Sequence, residues 1–176
     1  MSMSIRKKVC RIIGKRKLVL MARKEELSHN IKYISKVPVK IVMDREFLKV
    51  KPETSLFELI SMFTSEETSA VVVDDDGKLI GFITMKDLLH YFVPPRKYSI
   101  AGFGMLKKYV LNRATRVEDV MIRRPIVIGV DDDLGQAIKL MVETGKHHLP
   151  VIDKDRRVHG ILEVKDIIRL IRIVSS

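Results

Sequence analysis

The stretch Val72–Asp87, VVDDDGKLIGFITMKD, occurs a second time as Val151–Asp166, VIDKDRRVHGILEVKD, at an offset of 79 residues. Six of the sixteen positions are identical, and five more pair an apolar residue with an apolar residue. Upstream the offset is 78, so one residue is gained or lost between the copies, and the best place for it is after Phe63 and Met141. Because each copy is too small to bury a comfortable core alone, the repeat predicts two copies of one unit packed on each other.

The second copy predicts the element order β-α-β-β-α. Pro125–Val130 is short and β-branched, which predicts a strand, and apolar residues then recur at helical spacing from Leu134 until Gly145. A strand, a polar turn, a strand and a helix follow at Leu149–Ile152, Asp153–Arg157, Val158–Val164 and Lys165–Val174. The first copy predicts the same order at Leu48–Val50, Ser55–Thr64, Ala70–Val73, Leu79–Thr84 and Lys86–Phe92. The fold class is therefore α+β.

The chain divides into four segments. A basic N-terminal extension covers residues 1–36, the first repeat residues 37–93, a linker residues 94–116 and the second repeat residues 117–176. Pro94 and Pro95 stop the helix that precedes the linker. Residues 105–114 within the linker predict a short amphipathic helix.

Composition narrows the class of protein. The 176 residues are 46% hydrophobic and 31% charged, which is typical of a soluble protein. The single cysteine, Cys10, excludes a disulfide framework and a cysteine-based metal site, so we expect a cytoplasmic localisation. No apolar run approaches the roughly 20 residues of a membrane helix, so we expect no transmembrane segment. The net charge of +11 is concentrated in residues 1–36, which carry +9.

The repeat resembles a known family. The β-α-β-β-α order, a strand of apolar-Pro-Val-apolar-Asp pattern at Leu149–Asp153 and the Gly-x-x-Thr-x-x-Asp ending at Gly81–Asp87 are similar to the cystathionine-β-synthase (CBS) domain. Two such domains in tandem, over about residues 38–173, resemble a Bateman module. The resemblance implies two repeats packed with pseudo-two-fold symmetry and two clefts, each built from both repeats. It also implies a regulatory sensor of AMP, ADP or ATP, with S-adenosylmethionine as a further ligand, no required cofactor and a homodimer.

The first cleft matches the family motif in full. The resemblance assigns the ribose diol to Asp87, which offers two acceptor oxygens, and a phosphate oxygen to Thr84, while Gly81 lets backbone approach closely. The complete predicted set for this cleft is Gly81, Ile83, Thr84, Asp87, Val127, His147, His148 and Lys165. Histidine and lysine suit a phosphate, because the anion favours their charged forms.

The second cleft departs from the motif, because Glu163 stands where threonine is expected. A carboxylate repels phosphate unless a cation bridges the two. The residues predicted here are Lys49, Thr68, Ser69, Lys86, Glu163 and Asp166. We expect this cleft to be empty, weaker, or selective for a less charged ligand.

Simpler structural explanations exist for the same residues. Asp87 and Asp166 lie at helix starts, where a carboxylate also serves as a cap. His147 and His148 are adjacent on a predicted strand and point to opposite faces, which disfavours a shared metal ion. The acidic run at Asp131–Asp133 is typical of a helix start rather than a calcium loop.

The favoured function is binding without catalysis. The sequence has no P-loop and no Ser/His/Asp or Cys/His pattern that stands out, so we expect no enzymatic activity. The alternative from another class is a nucleic-acid-binding protein that uses residues 1–36, with the repeats as a dimerisation scaffold. The same basic segment could instead dock on an anionic membrane surface, or be a solvated extension.

Overall fold

The computed structural model describes residues 32–92 and 116–174. The first repeat consists of β1 (Leu48–Val50), α2 (Leu56–Met62), β2 (Ser69–Val73), β3 (Leu79–Thr84) and α3 (Met85–Phe92), preceded by the short helix α1 (Val39–Val42). The second consists of β4 (Ile128–Gly129), α4 (Leu134–Thr144), β5 (His148–Ile152), β6 (Val158–Glu163) and α5 (Val164–Val174), preceded by a 3-10 turn at Val117–Asp119. The predicted α+β class and the β-α-β-β-α order are confirmed.

Strand register fixes how the two repeats correspond. In each three-stranded sheet the first strand pairs in parallel with the second, and the second pairs antiparallel with the third. Val50 pairs with Val72 in one sheet, and Ile128 pairs with Val151 in the other. The first strands therefore correspond at an offset of 78 and the second strands at 79, which places the extra residue between them, as predicted.

The two copies differ in the length of the helix between the first and second strands. It has 7 residues in the first copy and 11 in the second. Ser55 begins the shorter helix and Asp133 the longer one, each accepting a hydrogen bond from a backbone N–H of the first turn. The longer helix ends at Gly145, whose φ of 66° is in the left-handed region that glycine adopts without strain.

Asp74 and Asp153, which are identical in the repeat, form the hairpin turns. One carboxylate oxygen of Asp74 accepts from the backbone N–H groups of Asp76 and Lys78 at 3.0 and 2.8 Å. The equivalent oxygen of Asp153 accepts from two backbone N–H groups at 2.9 Å each. These bonds satisfy the backbone of each turn. The turn therefore explains why the aspartate is repeated, without any role in binding.

The segment that leads into each repeat crosses to the other repeat. Asp44 exchanges two backbone hydrogen bonds with Ile161 on β6, at 2.8 and 2.9 Å, and Ile122 exchanges two with Phe82 on β3, at 2.8 and 3.0 Å. Two further bridges, Pro38 to Asp133 and Arg116 to Ser55, join each lead-in segment to the opposite helix start. Each bridge from the first repeat to the second has an equivalent bridge from the second to the first. The two repeats are therefore related by the predicted pseudo-two-fold symmetry.

The hydrophobic core follows the same exchange. Ile34, Val39 and Met43 are buried with residues of the second repeat, and Val117 is buried with residues of the first. A third cluster joins the two sheets directly, with Val71, Val73, Leu79 and Phe82 from one repeat against Ile152 and Ile161 from the other. The two repeats therefore share their core, so neither is expected to be stable alone.

Some sequence predictions are corrected or fall outside the described residues. The strand predicted at Pro125–Val130 is reduced to Ile128–Gly129, and Pro125, at its predicted start, has no N–H to donate to a neighbouring strand. The linker helix predicted at residues 105–114 and nearly all of the N-terminal extension lie outside the described residues. Across the two described ranges, no helix is long and apolar enough to cross a membrane.

Candidate functional site

Two cavities lie where the third strand of each sheet turns into the following helix. The first has a volume of about 630 Å³ and contains the motif residues Thr84 and Asp87. The second has a volume of about 360 Å³ and contains Glu163 and Asp166. Each cavity is walled by both repeats, so a bound molecule would touch both at once.

Thr84 and Asp87 form a reciprocal cap at the start of α3. Asp87 Oδ2 accepts from the backbone N–H of Thr84 at 2.9 Å and from its hydroxyl at 2.7 Å, while the Asp87 N–H donates to Thr84 Oγ1 at 3.3 Å. Within the described residues no hydrogen bond reaches Asp87 Oδ1. The capping explanation is therefore correct for one oxygen, and it leaves the other available to a ligand hydroxyl.

The wall opposite Asp87 is basic. It is formed by the lead-in residues Arg124, Pro125 and Ile126 and by the entry to β5 at Gly145–His148. Arg124 and Lys146 are exposed at this wall, and Lys86 stands next to Asp87 on the motif side. Among the described residues that line this cavity, Asp87 is the single carboxylate, so the cavity favours an anion.

The second cavity has the opposite charge. Its lining includes six carboxylates, at Asp44, Glu46, Glu66, Glu67, Glu163 and Asp166, against Lys165 and Arg169. Asp166 Oδ2 accepts from the backbone N–H of Glu163 at 3.0 Å, which repeats one bond of the first motif. Asp166 is only 7% exposed, and its burial, together with the charge of Glu163, raises its pKa above the ordinary value.

His148 lies between the two cavities. Its Nε2 is 3.1 Å from Thr68 Oγ1 and 3.6 Å from Glu163 Oε2. Burial lowers the pKa of His148 more than the neighbouring Glu163 raises it. Glu163 Oε2 also accepts from Lys165 Nζ at 3.1 Å, and this pairing outweighs burial and raises the lysine pKa.

The structure brings together the polar residues that the sequence predicts. Thr84, Asp87, His147 and His148 line the first cavity. Thr68, Ser69, Glu163 and Asp166 line the second. Thr68 also reaches the first cavity, which places it at the junction of the two.

The lysines differ from prediction. Lys86 lines the first cavity and Lys165 the second, each beside the aspartate of its own motif, whereas the sequence assigns them the other way round. The reason is that each lysine lies in the first turn of its own motif helix and shares that helix's cavity. Lys49 lines neither cavity, and its Nζ lies 4.8 Å from the centre of the Phe47 ring.

Three apolar or small residues predicted for the first cleft do not line the cavity. Ile83 is fully buried in the core, because alternation along β3 turns Phe82 and Thr84 to the cavity instead. Val127 packs against the cluster between the sheets, and Pro125 and Ile126 take its place. Gly81 faces Met121, whose sulfur a Cβ at this position would overlap, so the glycine has a packing role.

The residues that sequence reasoning missed are mainly the lead-in residues. Arg124, Pro125 and Ile126 in one cavity correspond through the offset of 78 to Glu46, Phe47 and Leu48 in the other. The repeat alignment contains this correspondence. The alignment does not predict that each lead-in segment crosses to the opposite repeat. Only this crossing brings these residues to a cavity.

With this geometry established, the chain belongs to the CBS-domain family, whose model matches residues 27–94 and 117–173. A methylated protein of Methanocaldococcus jannaschii, MJ0556, is 31% identical over 150 residues, which cover 80% of this chain and 76% of that one. The inosine-5′-monophosphate dehydrogenase of the same organism is 25% identical over 146 residues, but the match spans only 25% of the dehydrogenase. Among solved structures, CBSX2 in complex with AMP has a TM-score of 0.64 and 26% identity, covering 79% of this chain and 98% of that one.

Proposed function

We propose that this protein is a sensor of adenosine nucleotides without catalytic activity, and that AMP, ADP or ATP binds in the first cavity. The observation that carries the proposal is the placement of Asp87 and Thr84 at a helix start, across a 630 Å³ cavity from Arg124, Lys146 and the histidine pair. Asp87 Oδ1 accepts from the ribose, and the basic wall receives the phosphates. The Thr84 hydroxyl, which donates to Asp87 Oδ2, orients that carboxylate instead of binding phosphate. The AMP complex of CBSX2 supports this choice of ligand.

The proposed mechanism is a shift in the packing of the two repeats. The ribose contact comes from the first repeat, and most of the phosphate contacts come from the second. A nucleotide that bridges them favours the arrangement in which both walls are in place, and the size of that effect is limited by its differential affinity for the two states. The regulated partner then reads the relative position of the repeats.

A thermal-shift and calorimetric titration with AMP, ADP, ATP, S-adenosylmethionine and GTP tests the proposal. A ligand at 100 times its Kd stabilises the folded state by about 2.7 kcal/mol, which corresponds to a Tm rise of about 5–10 °C for a chain of this size. We expect this rise with an adenosine nucleotide and no comparable rise with GTP. No rise with any adenosine compound would overturn the proposal.

Two substitutions at Asp87 separate binding from capping. Asp87→Asn keeps an acceptor for the Thr84 N–H and hydroxyl but removes the charge, so we expect lost nucleotide affinity with nearly unchanged stability. Asp87→Ala removes the acceptor as well and adds a capping loss of about 1 kcal/mol. The matched control is Asp131→Ala, an exposed carboxylate paired with Lys40 outside both cavities, which should leave affinity unchanged.

We also propose that the protein is a homodimer that associates through the exposed faces of α3 and α5. Leu89 and Ile168 occupy equivalent positions of the two helices and are 66% and 58% exposed, and Ile173 is 64% exposed. Ile168→Asp should shift the species measured by light scattering from dimer to monomer. Val142→Asp, at a still more exposed apolar position on α4, is the control and should leave the dimer intact.

The nucleic-acid alternative rests on the charge of +9 in residues 1–36. It predicts binding of DNA or RNA that falls steeply with salt and is lost when residues 1–31 are removed, whereas nucleotide binding should survive that deletion. Anionic and neutral vesicles in the same assay test the membrane-surface alternative.

A further inference from the structure

The two cavities meet at the side chain of His148. This side chain lines the first cavity, and its Nε2 lies 3.6 Å from Oε2 of Glu163, which lines the second. Thr68, whose Oγ1 lies 3.1 Å from the same nitrogen, lines both cavities. The side chains of His148 and Glu163 are only 21% and 13% exposed, so solvent screens their interaction weakly. A change in the charge of His148 therefore acts on both cavities.

Strand register holds His148 beside Glu163 but does not require their charges. The two residues pair across β5 and β6, where β6 runs into α5. The equivalent pair in the first repeat, Ser69 and Thr84 across β2 and β3, consists of two neutral hydroxyl side chains. Since the same strand pairing forms with an uncharged pair, the fold does not need the histidine and the carboxylate. This leaves their contact available for a functional role.

Without a ligand, His148 is a neutral imidazole at pH 7. Burial lowers its pKa, because the cationic ring loses hydration. Glu163 on β6 and Asp87 on α3 oppose this shift with their negative charges, whereas His147 and Lys165, on the β5 entry and on α5, reinforce it. Glu163 is meanwhile paired with Lys165, whose Nζ lies 3.1 Å from Oε2. The charge of Glu163 is therefore committed mainly to the second cavity.

A phosphate in the first cavity would add negative charge on the other side of His148. The ordinary pKa of histidine is about 6.5, so a nearby dianion is enough to bring its titration into the neutral range. The protonated ring has two N–H donors where the neutral ring has one. One imidazolium is therefore able to serve a phosphate and the Glu163 carboxylate together, and charged partners make both bonds stronger.

We propose that nucleotide binding in the first cavity protonates His148, and that the resulting imidazolium pairs with Glu163 and changes the charge of the second cavity. This inference rests on the proposed function, because it needs an anion in the first cavity. The proton comes from solvent and stays at the junction of the two cavities. Glu163 is then shared between Lys165 and His148, so the second cavity becomes less acidic when the first is occupied. Nucleotide binding and pH are thereby linked, and lower pH favours the bound state.

Calorimetric titration of the full chain with AMP, in buffers of different ionisation enthalpy, counts the protons taken up on binding. In the wild type we expect uptake of up to about one proton per AMP, and an affinity that rises up to about tenfold per unit as the pH falls from about 8 to about 6.5. His148→Gln, which keeps a polar side chain but does not titrate, should remove most of the uptake. Its AMP affinity should stay level or fall over the same range, because the phosphate itself begins to lose charge toward pH values of about 6.

Two other histidines supply the controls. His147→Gln removes the exposed neighbour that lines the same cavity, and it should weaken AMP binding while most of the proton uptake remains. His159→Gln removes a histidine that pairs with Asp153 at 2.8 Å and lines neither cavity, so it should leave the uptake unchanged. Glu163→Gln removes the counter-ion of the imidazolium and should reduce the uptake. Thermal unfolding checks that each variant is folded.

NMR of the wild type tests the same proposal without a substitution. The ring resonances of His148 should show its pKa rising when AMP is bound. The labelled carboxyl carbon of Glu163 should shift on AMP addition in the wild type and not in His148→Gln, which reports the transfer of charge to the second cavity.

Three outcomes would overturn this inference alone and leave the nucleotide sensor standing. One is the same proton count and pH dependence in the wild type and in His148→Gln. Another is uptake that disappears in His147→Gln instead, since phosphate would then titrate only the exposed histidine. The third is a Glu163 resonance that does not respond to AMP. No binding of AMP, ADP or ATP to the wild type would refute the proposed function and this inference with it.

Discussion

Gly81 and Gly160, the equivalent glycines of the two motifs, offer a direct test of how the repeats are packed. A Cβ at Gly81 would overlap Met121 Sδ and approach Val72 Cβ to 3.3 Å. A Cβ at Gly160 would lie 2.5 Å from the carbonyl oxygen of Asp44 and 2.8 Å from Met43 Sδ. The first obstacle is chiefly the end of a flexible side chain, while the second includes backbone, so the same substitution should have different costs.

The loss of unfolding free energy caused by each substitution depends on whether the neighbouring atoms can move away. Overpacking costs about 1–3 kcal/mol, and Gly81→Ala should fall near 1 kcal/mol because Met121 can rotate away. Gly160→Ala should reach about 3 kcal/mol, because the Asp44 carbonyl accepts a 2.9 Å bond from Ile161 and cannot shift without breaking it. The corresponding losses in Tm are about 2–4 °C and about 6–12 °C.

Urea unfolding of both variants, with and without shortening of the facing methionine, is the assay. In a protein that already carries Met121→Ala, adding Gly81→Ala should cause little further loss of stability, because the overlapping side chain is gone. In a protein that already carries Met43→Ala, adding Gly160→Ala should still cause part of its loss, because the Asp44 carbonyl remains. AMP affinity of Gly81→Ala should change less than twofold, since Gly81 does not line the cavity. Equal destabilisation by the two alanines, or lost AMP binding in Gly81→Ala without lost stability, would refute the reasoning.

Three further predictions concern single groups. Asp166→Asn should not destabilise the protein at pH 7, because burial raises the pKa of Asp166 and asparagine can still accept from the Glu163 N–H, whereas Asp166→Ala should cost about 1 kcal/mol in urea unfolding. Burial lowers the pKa of His148 below its ordinary 6.5, so the unfolded chain binds more protons and this contribution to stability is present above pH 6.5 and lost as the pH falls toward the folded pKa. His148→Gln should therefore flatten the pH dependence of Tm between about pH 5 and 7. Gly77→Ala should cost about 1 kcal/mol through backbone strain, because the φ of Gly77 is 78° and the nearest atom to a Cβ is 3.9 Å away.

Each of these has an outcome that would contradict it. Asp166→Asn as damaging as Asp166→Ala would mean that the charge itself is required. If the pH dependence of Tm is unchanged in His148→Gln, a group other than His148 causes it. A neutral Gly77→Ala would contradict the left-handed turn, and Gly145→Ala, at a φ of 66° with nothing within 4 Å, is the positive control for that strain.

The sequence alone determined the repeat unit and most of the candidate site. Leu48–Val50 and Leu79–Thr84 were predicted to the residue, because alternation and helical spacing are local patterns that neighbouring side chains express directly. The motif residues Thr84, Asp87, Glu163 and Asp166 are predicted from the resemblance to the CBS-domain motif, which is readable in the sequence because each pair lies within four residues at a strand-to-helix turn.

Tertiary structure alone decided which residues complete each cavity. Asp44 pairs with Ile161, and Ile122 with Phe82, through backbone groups. Because these groups are the same for nearly every residue type, no side-chain pattern predicts the crossing. That crossing brings Arg124 to one cavity and Glu46 to the other. The opposite charges of the two cavities were present in the sequence, but only the pairing of distant segments assembled them.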